Sequence, residues 1–475
     1  MSSSAGKRIF LIAAIIVISA SQQALAADLP VIEVHSGDRY FQTAEGDPFF
    51  WLADTAWSLF RLTPDELDEY YAVRSDQGFT VIQGPVLVTD SPNYDDETNG
   101  DPENPNEAWF EHIDEIIVRA ANHGLYVSPV LGWGDIADRF DDDSAYSFGF
   151  YVGERYREET NIAAFVLAGE FNYPSSNVAL WTSMAEGLLD GLDGAQRLIT
   201  LHPRWYGGYD GQTTSADFGG ADWLSFNMVQ SSVQGDCTDD PAHSKYLGTH
   251  NWLLIKNDWQ GTPRKPVIDA EPTYEAQDPY HPSCDFNPDF WDDFGCRRRA
   301  YWAIFAGAAG HTYGANGVYQ FHKEDDPNPV GLPEDYWEQA VEYSGAEQMG
   351  YLRRLIESRP YFKRIGNQKF LVSPADDGHV KHHIHSTRDK NNNWAMVYVP
   401  RSDHTLTVDM DLIKGDQQKA WWFNPSTGNA SVIGTFDEDD YSSNGTMEFT
   451  TPANGSEDWV LVVDNASKGF GPPGD

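Results

Sequence analysis

The chain has 475 residues, with 32 Lys+Arg against 73 Asp+Glu and a formal net charge of −41. Forty per cent hydrophobic and 13% aromatic residues are enough to build a sizeable core, which excludes global disorder, and the length suggests two or three domains. The acidity is dispersed, so it opposes encounter with nucleic acid or an anionic membrane surface and serves solubility, as in salty surroundings.

Residues 1–26 have the three-part order of a secretory signal: Lys7 and Arg8, an apolar run from Ile9 to Ala20, then Ala24-Leu25-Ala26. Cleavage is expected after Ala26, giving a secreted or periplasmic protein without a membrane span. In an oxidising compartment the three cysteines allow one disulfide. Cys237 and Cys284, both in polar Pro/Asp-rich stretches, are the expected pair, which leaves Cys296 as a thiol.

From Phe49 onward, apolar strand-like runs alternate with amphipathic helices. Strands are predicted at Phe49–Ala53, Thr80–Leu87, Tyr126–Leu131, Ala164–Ala168, Leu198–His202, Trp223–Met228, Pro266–Ala270 and Gly317–Phe321. Helices are predicted over Pro64–Gln77, behind Thr63 as N-cap, and over Glu107–His123, stopped by Gly124. Others fall near Asn177–Leu189, Lys245–Asp258 and Arg297–Ala309, and Ala346–Ser358 is a last amphipathic helix. Continuous apolar strands with crossover helices signal a helix-covered parallel sheet, and eight such units in about 300 residues fit an α/β fold of the closed (β/α)8 type. No nucleotide-binding glycine fingerprint follows any of these strands, which argues against an open doubly wound sheet.

After Arg359-Pro360 the pattern changes to short alternating runs: Lys369–Val372, Trp394–Val399, Thr405–Met410, Ala420–Phe423 and Trp459–Val463. These predict a C-terminal antiparallel β-sandwich. The domain boundaries are therefore 27–358 for the barrel, 359–467 for the sandwich and 468–475 for a frayed tail.

In such a barrel the reactive groups stand at the carboxyl ends of the strands. Reading those ends selects Asp54, Trp57, Gln83, Trp133, Glu170, Asn172, His202, Trp205, Asn227, Gln230, Glu271 and Tyr274, with His311 and Tyr313 just before the eighth strand. Glu170 and Glu271 each follow a buried apolar run, at strands four and seven, so they can face each other across the mouth. Glycoside cleavage needs such a pair, one protonated to donate to the leaving oxygen and one ionised. Trp57, Trp133, Trp205 and Tyr274 offer flat faces to sugar rings, and the amides and His202 can bind hydroxyls. No cofactor or metal is expected: His382, His383 and His385 look like a metal tract but read as surface residues of a sandwich strand, and the acidic runs near 93–106 and 138–143 read as solvated loops.

The chain resembles the apiosidase-like glycoside hydrolases, followed by a small β domain usually labelled collagen-binding. The matching stretches are Phe50–Trp57, Phe165–Pro174, His202-Pro203, Lys265–Glu275, Gly310–Gly314, Gln348–Arg364 and Trp422–Gly428. The resemblance implies a barrel acting on glycans, with Glu170 as acid/base and Glu271 as nucleophile. Apiosidase-type relatives carry Asp in a Gly-Gly-Asp context where this chain has Ala168-Gly169-Glu170, so apiose specificity does not carry over by itself. The expectation is a secreted retaining glycosidase acting on plant or algal glycans, with carboxyls about 5–5.5 Å apart. Its rivals are a non-catalytic glycan-binding protein, a polysaccharide lyase using Arg204 or Arg264, and a peptidase or collagen-adhesion protein, which lacks a nucleophile elbow. The sugar, the linkage and the oligomeric state are not legible.

Overall fold

The computed structural model describes residues 29–87, 100–101, 104–133, 139–169, 178–203, 213–231, 250–277, 291–326, 329–377, 380–453 and 455–475. Its centre is an eight-stranded parallel sheet: β1 (Trp51–Thr55), β2 (Val81–Pro85), β3 (Tyr126–Val130), β4 (Ala164–Val166), β5 (Leu198–Thr200), β6 (Asn227–Val229), β7 (Val267–Asp269) and β8 (Gly310–Tyr313). The spatial order is β5-β4-β3-β2-β1-β8-β7-β6. The open seam is bridged just below β6, where Ser225 N–H donates to the Ile199 carbonyl at 2.8 Å, so the sheet is a nearly closed barrel.

Each strand is followed by a helix: α1 (Pro64–Asp76), α2 (Glu107–Asn122), α3 (Asp142–Tyr156), α4 (Val178–Leu192), the short α5 (Ser215–Phe218), α6 (Asn251–Gln260), α7 (Asp293–Ala306) and α8 (Ser344–Glu357). Local chemistry sets their ends. Thr63 and Glu66 form a reciprocal capping box before α1, and Asp141, which the sequence placed in a solvated loop, caps α3 with Ser144. Helices α3 and α4 pack backbone to backbone: a Cβ on Gly187 would sit 2.0 Å from the Tyr146 carbonyl oxygen. The bottom of the barrel is plugged by a three-stranded antiparallel sheet over residues 32–49, which puts Phe41 against Trp51 and Phe226.

The eighth strand is not where hydropathy placed it. Gly310–Tyr313 forms it, and part of the predicted Gly317–Phe321 strand is a helical turn, Asn316–Tyr319, above the mouth. A Cβ at Gly310 would lie 2.3 Å from the Trp51 carbonyl oxygen, so close packing against β1 selects a glycine where an aliphatic residue was expected.

The C-terminal unit has a six-stranded antiparallel sheet facing a two-stranded one. Its strands are β9 (Arg364–Gly366), β10 (His385–Asp389), β11 (Trp394–Val399), β12 (Thr405–Asp409), β13 (Gln418–Phe423), β14 (Ala430–Phe436), β15 (Thr446–Thr450) and β16 (Trp459–Asn465). The large sheet runs β9-β10-β11-β16-β13-β14, and β12 pairs with β15. Lys369–Val372, read as a strand, is instead mostly a 3-10 turn over Gln368–Phe370.

The central strands of the large sheet are buried on both faces. Along β11, Ala395, Val397 and Val399 enter the sandwich core, whereas Trp394, Met396 and Tyr398 join the core of the barrel. Arg297 of α7 grips Asp458 with two hydrogen bonds of 3.0 and 2.8 Å, and Arg359 grips Asp464 at 2.9 and 2.7 Å.

Two further expectations are corrected here. His383 and His385 are buried, not surface residues. His383 lies flat on Trp252 at 3.9 Å and contacts Asp376 and His385 at 2.6 and 2.9 Å. The tail is not frayed either: Phe470 lies beneath the Arg359 guanidinium, which donates to the Gly471 carbonyl at 3.1 Å. Residues 1–26, Cys237 and Cys284 lie outside the described residues; Cys296 is a buried thiol on α7.

Candidate active site

The register of the barrel decides which side chains reach the mouth, because paired residues of parallel neighbours share a face. Thr55, Gln83 and Ser128 are in register on the inward face, while Asp54, Ile82 and Val127 point to the helices. Likewise His311 shares the outward face with Leu52 and Asp269, Tyr313 with Asp54, and Asn227 with Val267.

Four residues selected from the sequence are therefore turned away from the mouth. Asp54 is fully buried in an ion pair with Arg74 at 2.6 Å and accepts from the Tyr70 hydroxyl at 2.6 Å. It anchors α1 and leaves no carboxylate for substrate. Tyr313 donates to Glu275 at 2.5 Å, and His311 is sealed between sheet and helices, where burial drives its pKa down to about 3. Asn227 likewise falls on the outer face of its strand.

What remains converges. Glu271, two residues past β7, is almost wholly buried, and its Oε2 stands 3.3 Å from His202 Nε2 beyond β5. His202 Nδ1 lies 2.8 Å from the Pro203 carbonyl. Burial lowers the pKa of the ring to about 4, against the opposing pull of the Pro203 and Ala270 carbonyls, so the imidazole is neutral at neutral pH. Its Nε2 is the ring nitrogen turned toward the carboxyl group. On the other side Tyr274 hydrogen-bonds Glu271, and the Tyr274 oxygen accepts from the Trp57 indole N–H at 3.1 Å.

Aromatic rings surround this carboxylate. Trp57 and Trp133 lie 4.4 Å apart at 48°, with His202 5.7 and 5.8 Å from them. Trp133 bridges to Gly169, and a Cβ on Gly169 would be 2.2 Å from the indole ring. Glycine there lets Trp133 lie across the end of β4, directly before Glu170. Gly314 does the same for Tyr274, whose ring a Cβ would meet at 2.4 Å. Tyr319 completes the wall, 5.3 Å from Tyr274; reading its segment as the eighth strand hid it.

Beneath the rings, Thr55 hydrogen-bonds Tyr274, and Gln83 and Thr312 are buried with side-chain atoms that have no hydrogen-bond partner among the described residues, both amide atoms of Gln83 among them. Gln230 is buried one residue past β6. One side of the mouth is tied shut. Arg61 pairs with Asp326 and donates to the Gln320 carbonyl at 3.0 Å, Lys323 reaches Glu66 at 2.6 Å, and Ser58 N–H donates to the Tyr319 carbonyl at 3.0 Å. Glu170, Asn172 and Trp205 lie outside the described residues, as do residues 278–290. Among the described residues no His, Cys, Asp and Glu cluster could hold a metal ion.

A buried strand-end carboxylate under aromatic walls and unpaired hydrogen-bonding groups, on a (β/α)8 barrel, is the arrangement of a glycoside hydrolase. A solved structure named "Glycoside hydrolase" is 31% identical, with a TM-score of 0.81, covering 93% of this chain and 98% of its own. A glycoside hydrolase family 5 structure from Bacteroides vulgatus ATCC 8482 is 28% identical, with a TM-score of 0.79 and coverage of 93% and 95%. The chain belongs to the family described as "Apiosidase-like, catalytic domain", which matches residues 35–363; residues 365–464 match "Putative collagen-binding domain of a collagenase". A search of curated proteins finds no match.

Proposed function

We propose that the protein is an exported retaining glycosidase that acts on plant or algal oligo- or polysaccharide, with Glu271 as nucleophile and Glu170 as acid/base. The observation that carries the reading is the setting of Glu271: pinned at the end of β7 by Tyr274 and faced by His202, beside aromatic rings that suit a sugar face. Glu271 attacks the anomeric carbon while Glu170 protonates the departing oxygen. A glycosyl ester forms on Glu271, and Glu170 then takes a proton from the water that cleaves it. Tyr274 holds the Glu271 carboxylate in aim and donates to the oxygen that does not attack.

The acidic net charge favours no anionic substrate, and the groups left unpaired at the mouth suit neutral hydroxyls. The amino-terminal segment supports export, and the two-faced sheet supports a structural role for the C-terminal domain.

The test is hydrolysis of a panel of glycans and 4-nitrophenyl glycosides, with the anomer of the product read by NMR. Glu271→Ala is expected to lower kcat by about 10⁴-fold or more while leaving the fold intact. Glu170→Ala is expected to spare aryl glycosides, whose leaving groups need little protonation, far more than unactivated glycans. An inverted product, or turnover retained without Glu271, overturns the reading.

A further inference from the structure

The residue after Tyr274 makes contacts that the chemistry above does not use. Glu275 is buried behind the site with its carboxylate wedged between β8 and α8: it accepts from the Tyr313 hydroxyl at 2.5 Å and from the backbone N–H of Gly345. The N-cap of helix α8, Tyr343, makes no side-chain cap hydrogen bond, so Glu275 supplies from another element an acceptor for a backbone N–H of the first turn. The fit admits no side chain at Gly345, where a Cβ would come within 2.0 Å of Glu275 Oε2. The backbone is fastened as well: Glu275 N–H donates to the Gly314 carbonyl, and its carbonyl accepts from Asn316 N–H, both at 2.9 Å. Tyr274 thus projects from a peptide held on both sides, and Gly314 leaves just the space its ring fills.

We infer that Glu275 is a positioning residue of the glycosidase: by clamping β8 to the start of α8 it fixes Tyr274, and through Tyr274 the aim of the Glu271 carboxylate.

Burial pushes the Glu275 carboxyl up to about 7, with Asp292 and Asp293 adding to the rise and Tyr313 and the Gly345 N–H opposing it. Arg74, over the Tyr313 ring, is already paired with Asp54. The inference rests on Glu271 as the reacting group, so its test includes a readout that does not need turnover.

Glu275→Gln is expected to lower kcat about 10-fold on the best 4-nitrophenyl glycoside while KM changes less than 2-fold. In a Tyr274→Phe background, where the hydroxyl it aims is absent, the same substitution is expected to cost less than 2-fold. The Trp57 indole N–H resonance, assigned with Trp57→Phe, should shift in Glu275→Gln, because that N–H donates to Tyr274. If Glu275→Gln does not fold, Tyr313→Phe removes one arm of the clamp and should act in the same direction. Equal losses in both backgrounds, or an unmoved Trp57 resonance, would overturn the inference. Absence of any hydrolysis by the wild type, with the resonance still shifting, would instead sink the glycosidase reading and leave the clamp standing.

Discussion

The barrel mouth and the seam between the two domains both bury many polar groups, and they differ in how the strongest of them are partnered. At the seam the charges meet partners: Arg297 is bidentate on Asp458, which also accepts from Tyr398 at 2.9 Å, and Arg359 is bidentate on Asp464, which also accepts from Trp421 at 3.2 Å. At the mouth, Gln83 has neither amide atom satisfied among the described residues, and the Thr312 hydroxyl is in the same position. A buried polar group without a partner costs about 1–3 kcal/mol, and at an open mouth a ligand can complete it. The contrast is between the paired charges that hold the domains together and an amide at the mouth that is open to a substrate.

The seam gives the largest effect on stability. Arg297→Met leaves Asp458 charged and buried and is expected to destabilise by about 3–5 kcal/mol, whereas Arg297→Met with Asp458→Leu should recover most of that loss. Thermal unfolding of the two variants checks this. A single variant as stable as the wild type would show that the clamp adds little and that apolar packing around Trp394, Met396 and Tyr398 carries the seam alone. Activity in the double variant should stay near wild type.

The mouth should respond in the reverse sense. Gln83→Leu removes two unsatisfied groups, so its melting temperature is expected to match or exceed that of the wild type while kcat/KM falls about 10- to 100-fold. Unfolding and kinetics on one preparation decide it. A destabilised variant with full activity would make Gln83 a structural residue and erase the distinction between the two regions.

The same contrast explains what could be read in the sequence. Apolar runs ending in a chemistry-bearing residue located seven of the eight barrel strands, and with them Glu271, His202, Trp57 and Trp133. Facing was not legible. β1 is buried on both sides, so hydropathy along Trp51–Thr55 does not alternate and cannot tell inward Thr55 from outward Asp54. Strand eight was missed because close packing demanded Gly310 and the helix layer accepted His311 and Tyr313, so it lacks the aliphatic signature. His383 and His385 read as surface residues because polarity in a small sandwich usually means solvent. Here the sheet has a second neighbour, and the helices of the barrel bury its outer face.

Those histidines give the smallest effect and the finest test of the seam. His385 is buried and held uncharged: desolvation depresses its pKa well below 6.5, and His383 and Lys256 add to the depression. The unfolded chain binds a proton there below about pH 6.5 and the folded chain does not, so this contribution is complete above that pH and is lost as the pH falls through the window below it. The loss at pH 5 should be on the order of 1–2 kcal/mol. His385→Gln is therefore expected to narrow the gap in melting temperature between pH 7 and pH 5, whatever it does to stability at pH 7. An unchanged gap would mean that His385 takes up a proton in place, relayed through His383 to Asp376, and that the seam tolerates a charge as readily as its arginine clamps do.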